Sequence, residues 1–411
     1  MKITRRRLCL GLGACAFTAT LEGRLHATRA FAQPTRSPVL VAVMLRGGLD
    51  GLSVVVPYAD SNYRGLRNRI RIGAPDEPGG ALPLENKLGL GLHPHMAPLL
   101  PLYRSGRLAF VNAVGAPVPS RSHFEMQRLI ELGVARDERL EEGFLNRALR
   151  QLSRDDQLLR GVSTSPSLPL LLRGQVPTAS LGPLMELSRN GRWQARAALL
   201  QQLYRGGNAK LDQAAAHGLE AMHELASVAT SSLDPVSRSY PKGHFARSLA
   251  SIAQLIRHGP DIPVFYTEAG GWDTHAGQGA AQGGLGRRLQ MLAQALAAFD
   301  ADLGEDASRV VTICFTEFGR TVRENGSAGT DHGHGSVALV MGGPVNGGHV
   351  FGGAPVLAQS ALYEGRDMQV TTDYRALFGE LLSRHLQVND LSAVFPEYEV
   401  SPSQVPGVLR A

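Results

Sequence analysis

"RVVTICFTEFGRTVRENGSAGTDHGHGSVALVMGG", residues 309–343, holds two apolar runs separated by a polar and charged loop. Both runs are continuous rather than alternating, which marks strands covered on both faces, as in a parallel sheet between helices. The loop concentrates Glu317, Arg320, Asp331, His332 and His334. The same layout recurs outward from this stretch. "VLVAVMLRGGLDG" (39–51), "RLAFVNAVG" (107–115) and "IPVFYTEAGG" (262–271) are apolar runs that end in glycine and polar residues.

Helical patterns lie between the runs. Leu285, Leu289, Leu292, Leu296, Phe299 and Leu303 form one apolar stripe at steps of three and four. Leu377, Leu381 and Leu382 begin a second one, with Asp373 placed to cap it. Buried strands alternating with amphipathic helices predict an α/β fold, a mostly parallel sheet sandwiched by helices. The Leu-, Ala-, Gln- and Arg-rich segment at about 125–258 is expected as a helical insertion.

The chain has 411 residues and a formal charge of +6. Lys2, Arg5, Arg6, Arg7, Arg24 and Arg29, opposed by Glu22, put +5 of it in the first 32 residues. The remainder is nearly neutral, which argues against a nucleic-acid partner. Residues 1–32 read as a signal peptide: a basic start, a short apolar run from Leu8 to Ala19, and Ala30-Phe31-Ala32 as a cleavage site. Thr4-Arg5-Arg6-Arg7-Leu8 resembles the twin-arginine signal, so the export machinery for folded proteins is the expected partner and the periplasm or the exterior the expected destination. The apolar run is too short to span a membrane. Leu12-Gly13-Ala14-Cys15 resembles a lipoprotein box and offers Cys15 as an alternative lipid anchor. Cys314 lies within an apolar run and reads as a buried structural thiol.

In a parallel sheet, ligands collect at the carboxyl ends of the strands. Those exits carry Asp50; then Ser120, Ser122 and His123; then Asp273 and His275; then Glu317 and Arg320; and the Asp331-His332-Gly333-His334 cluster precedes the next strand. Carboxylates and imidazoles are the ligands that Zn²⁺ and Mn²⁺ accept. Asp50, Asp273, His275, Glu317, Asp331, His332 and His334 are the candidate metal ligands. Bland readings stand beside them: Asp50 as a turn, Ser122 with Glu125 as a helix capping box, Arg320 as an ion-pair partner of Glu317. His93 and His95 read as helix-start or packing residues.

The order Asp50, Ser122, Asp273 with His275, Glu317, and then Asp331-His332 resembles the alkaline phosphatase superfamily. "LRGGLDGLSVVVPY", "RSHF", "GGWDTH", "TEFGRTVRENGSAGTDHGHGS" and "TTDYRA" resemble more closely an exported bacterial group, domain-of-unknown-function family 1501. The resemblance implies an alkaline phosphatase-like domain over 33–411. It implies a metal-dependent hydrolase of phosphate or related oxyanion esters, small-molecule or polymer-borne, with Ser122 as nucleophile (Ser120 in reserve) and Arg320 or Arg121 holding substrate oxygens. Zinc is the expected ion, with manganese or magnesium as alternatives. Whether Glu317 or Asp331 takes a second metal position stays open. The Cys-x-Pro-x-Arg sequence of formylglycine sulfatases is absent. The alternative reading is a non-catalytic exported binding or assembly protein that retains the fold.

Overall fold

A computed structural model describes residues 36–84, 87–136, 139–152, 159–182, 225, 228 and 239–411. The leader, with Cys9 and Cys15, and much of the expected helical insertion lie outside the described residues. Among the described residues nine strands form the main sheet: β1 (Val39–Arg46), β2 (Leu108–Gly115), β3 (Gly161–Ser163), β4 (Thr178–Ser180), β5 (Val264–Gly270), β6 (Val310–Phe315), β7 (Ser336–Gly342), β8 (Val350–Phe351) and β9 (Thr372–Asp373). Their order is β8-β2-β7-β6-β1-β5-β3-β4, with β9 beside β2. The pairings of β1 with β5 and β6 are parallel. The strand β7 runs antiparallel to both its neighbours, β2 and β6.

That one reversal matters for the site. The loop between β6 and β7 leaves a carboxyl end and enters a strand pointing the other way, so both its ends sit on one edge of the sheet. Residues that precede β7 thereby join residues that follow β1, β2, β5 and β6.

Period-two side-chain alternation divides β1 between two cores. Val39, Val41, Val43 and Leu45 face one cluster, which includes Leu249 and Ile252 of α2 (His244–His258) and Leu285, Leu289, Leu292, Leu296 and Phe299 of α3 (Gly284–Leu303). Leu40, Ala42 and Met44 face the other, with Met126, Leu129 and Ile130 of α1 (His123–Leu132) and Leu377 and Phe378 of α4 (Tyr374–Glu380). The result is an α/β sandwich, as the periodicity predicts. Asp373 caps α4, its carboxylate accepting from Arg375 N. Cys314 is a free, buried thiol in β6, and burial pushes its pKa up.

The segment expected to be a helical insertion contributes β3 and β4 to the main sheet, β3 pairing parallel with β5. These three-residue strands are too short to show a period, which is why composition alone reads the segment as helical. No helix among the described residues is long and apolar enough to cross a membrane.

Candidate metal centre

The site is built on the carboxyl edge, where β1 ends in Arg46 and the chain turns at Gly47-Gly48. Gly47 has φ +124°, and a Cβ there would lie 2.6 Å from Asp273 N. Only glycine lets this turn pass under the "WDTH" segment. The Gly47 N–H donates to Glu317 Oε1 at 2.8 Å.

His123 is the first residue of α1, held there by the Ser122 N-cap, whose hydroxyl accepts from Glu125 N at 3.5 Å. Its Nδ1 lies 2.8 Å from Glu317 Oε1, and Gln127 Nε2 donates to the same oxygen at 2.9 Å. Burial would raise the Glu317 pKa, but the bonds from His123, Gln127 and Gly47 bring it down to about 2. Glu317 is therefore ionised and accepts the Nδ1 proton, and that hydrogen bond raises the His123 pKa.

His332 Nδ1 lies 2.7 Å from the Arg121 carbonyl oxygen, which can only accept. This ring also carries its proton on Nδ1, and burial lowers its pKa. His275 Nδ1 lies 3.1 Å from Asp331 Oδ1, whose carboxyl is held below the usual range first by a hydrogen bond from Asn325. Each ring is thus fixed through Nδ1, and when neutral each presents a bare Nε2.

The three Nε2 atoms converge on Asp273. His275 Nε2 is 3.0 Å from Asp273 Oδ1 and His332 Nε2 is 3.3 Å from it, while His123 Nε2 is 3.6 Å from Asp273 Oδ2. His275 and His332 set their Nε2 atoms 3.0 Å apart. With both Nδ1 atoms protonated, two lone pairs face each other beside a carboxylate. That arrangement requires a positive charge between them, an extra proton or a metal ion. His123 Nε2 is buried with no hydrogen-bond partner, an orphan that a metal would satisfy. Ligand atoms of His123, Asp273 and His332 all lie within 4.8 Å of one another.

Of the sequence candidates, Asp273, His275 and His332 are brought together here; the other four are placed elsewhere. Glu317 and Asp331 sit behind His123 and His275, on the ring nitrogens that point away from the convergence. Asp50 does not fit the role of ligand: it is buried in a bidentate pair with Arg67, at 2.6 and 2.9 Å, and also accepts from Ser53 and Gln278. His334 does not fit it either. Gly333 N and Gly335 N are tied to Gly319 O and Met368 O, and the His334 ring stacks on Tyr363 with centroids 4.2 Å apart.

The expected substrate clamps are also committed elsewhere. Arg320 is buried and donates to the carbonyls of Gly47, Gly48, Trp272 and Thr330 and to Asp273. Its partner is Asp273 rather than Glu317, and the pairing lowers the Asp273 pKa against the effect of burial. Arg121 is held by Asp367 and Glu364, each at 2.6 Å. Ser120 donates to Glu125 Oε2 at 2.5 Å.

His123 is the site residue that the sequence reading passed over as a ligand. Its position at a strand exit was visible, but the Ser122–Glu125 spacing explained the segment as a cap and drew attention from the imidazole. Gln127 and Arg67 carried no local signal, since each acts across more than ten residues of chain.

The family model described as "Protein of unknown function (DUF1501)" matches residues 110–397. No curated protein matches the chain. Among solved structures, an alkaline phosphatase from the Antarctic bacterium TAB5 aligns with 9% identity and a TM-score of 0.28, covering 75% of this chain and 93% of that one.

Proposed function

The chain belongs to the family described as a protein of unknown function (DUF1501), and from that premise we propose that it is a metal-dependent hydrolase of phosphate or related oxyanion esters, centred on His123, Asp273, His275 and His332. The observation that supports this reading is the convergence of ligand atoms of His123, Asp273 and His332, with His275 Nε2 3.0 Å from both Asp273 Oδ1 and His332 Nε2 and each ring held through Nδ1. Three histidines with a carboxylate suit zinc, and manganese also accepts them. When bound, such an ion polarises an ester oxygen and acidifies water.

The chain's own groups do the rest. Glu317, Asp331 and the Arg121 carbonyl hold the ring tautomers, and Arg320 keeps Asp273 ionised and fixed in direction. Ser120 donates to Glu125 Oε2 and Ser122 Oγ caps α1 as an acceptor, and this reading takes water as the nucleophile. The leader adds export to the periplasm or beyond, by the twin-arginine route. Replacing Arg5, Arg6 and Arg7 by lysine should leave precursor in the cytoplasm.

The test is elemental analysis of the purified protein together with turnover of p-nitrophenyl phosphate, bis-p-nitrophenyl phosphate and p-nitrophenyl sulfate. Bound divalent metal and turnover of at least one ester, both lost in Asp273→Ala, are expected. A folded protein with no metal and no affinity for zinc, manganese or magnesium would overturn the reading and favour the non-catalytic binding role.

A further inference from the structure

A cleft of about 410 Å³ opens beside the cluster, lined by Leu66, Thr321, Arg323, Glu324, Asn325, Asp331, Gln359, Leu362, Gly365 and Arg366. It meets the metal centre through Asp331, which holds the Nδ1 side of His275. Material in the cleft therefore lies one imidazole ring away from the converging Nε2 atoms, next to the reacting position rather than on it.

The charges in the cleft are unevenly committed. Glu324 accepts from Arg69 Nε at 3.0 Å and from the backbone N–H groups of Arg69 and Ile70. Asp331 accepts from Asn325 as well as from His275. The Thr321 hydroxyl donates to Arg323 O, and the Gln359 amide donates to Gly365 O. Arg366 is anchored by Nε to Asp367 at 3.1 Å and by Nη2 to His332 O at 2.8 Å. The guanidinium of Arg323, on an exposed residue, has no hydrogen-bonding or ionic partner among the described residues. Glu324 is neutralised by Arg69 and Arg366 is paired with Asp367, while Asp331 keeps its charge on the side of the metal centre; the Arg323 guanidinium is the cation left to meet a ligand, and Leu66 and Leu362 give it an apolar flank. Arg320 and Arg121, the other arginines near the cluster, are taken up by carbonyls and carboxylates.

We infer that this cleft binds a second anionic group of the substrate, a phosphate or carboxylate remote from the ester that is cleaved, with Arg323 as the residue that recognises it and Arg366 as its fixed neighbour. The inference rests on the hydrolase reading for the identity of the ligand as substrate. A planar guanidinium fork matches either anion bidentately. The preferred substrates would then carry two anionic groups separated by a small apolar spacer.

The experiment compares the wild-type chain with Arg323→Glu and Arg323→Lys. Arg323 makes no hydrogen bond or ion pair with the cluster residues, so metal content should be equal in all three. KM for 4-carboxyphenyl phosphate should rise at least tenfold in Arg323→Glu and recover in part in Arg323→Lys, while KM for p-nitrophenyl phosphate moves much less. In the Asp273→Ala background, which removes the metal centre, inorganic phosphate titrated calorimetrically should bind at least tenfold more weakly once Arg323→Glu is added. If a metal-loaded wild type turns over neither ester, the hydrolase reading fails and the phosphate titration alone tests the cleft. Unchanged phosphate affinity, or equal KM changes for the two esters, overturns the inference.

Discussion

Asp50 and Asp273 leave β1 and β5, two paired strands of one sheet, and end in opposite surroundings, one buried and one half-exposed. Asp50 is buried against Arg67, whose side chain is also fully buried and also donates to Val322 O and Thr321 O. The charge is settled within the chain, and the pairing lowers the Asp50 pKa against the effect of burial. Asp273 bonds Arg320 too, but its side chain is 43% exposed and three imidazoles turn their Nε2 atoms toward it. Position at a strand exit makes a carboxylate available; burial and the direction of the neighbouring rings separate a structural charge from a candidate ligand.

The two regions are linked. Gln278 donates to Asp50 at 2.7 Å, and its carbonyl oxygen accepts from Thr274 at 2.8 Å and Thr330 at 2.9 Å. Those threonines adjoin Asp273 and Asp331. The Asp50 side is thus a floor on which the two site loops rest.

The largest effect should come from that floor. Arg67→Met leaves Asp50 buried without its partner and should cost about 3–5 kcal/mol of stability, read from urea unfolding. A loss under about 1 kcal/mol would mean that the Asp50 region is as open as the Asp273 region, and the contrast would break.

A second effect is read by pH at the buried His93, whose ring feels the Asp50 charge. Burial holds the His93 pKa down to about 4. In the unfolded chain the ring titrates near 6.5. Above that value both states are neutral and the ring contributes no pH dependence. Between about 6.5 and about 4 only the unfolded chain takes up the proton, so stability falls as pH falls, by up to about 3 kcal/mol. His93→Gln should flatten that part of the stability profile; an unchanged slope from pH 7 to 4.5 would assign it to other groups.

On the cluster side, Glu317→Gln keeps the shape but exchanges a carboxylate acceptor for an amide behind His123. Metal affinity should fall about 10–100-fold, measured by competition with a chelator. An unaltered affinity would remove His123 from the ligand set. The smallest effect should be at Ser122. Aspartate caps a helix as well as serine, so Ser122→Asp should change stability by no more than about 0.5 kcal/mol and leave turnover intact. Loss of turnover in a fully folded protein would return the nucleophile's role to the serine.

Much of the fold was legible because its signals are local. Continuous apolar runs mark buried strands, and the Leu285–Leu303 stripe marks a helix, each within one stretch of chain. The strand-exit rule also drew Asp273, His275 and His332 into one list before any geometry was available. It drew in Asp50 and His334 with them, because residue type and position are the same for a ligand and a bystander. The sequence by itself thus determined the layers, the edge of the sheet on which the candidate cluster lies and the residue types gathered there. Only the tertiary structure decided that β7 runs antiparallel, that Arg67 neutralises Asp50, that His334 turns onto Tyr363, and that His123 completes the cluster. The physical reason is that periodicity is written in neighbours along the chain. The direction of an imidazole is set by whichever acceptor reaches its Nδ1, and for His123, His275 and His332 that acceptor lies 194, 56 and 211 residues away.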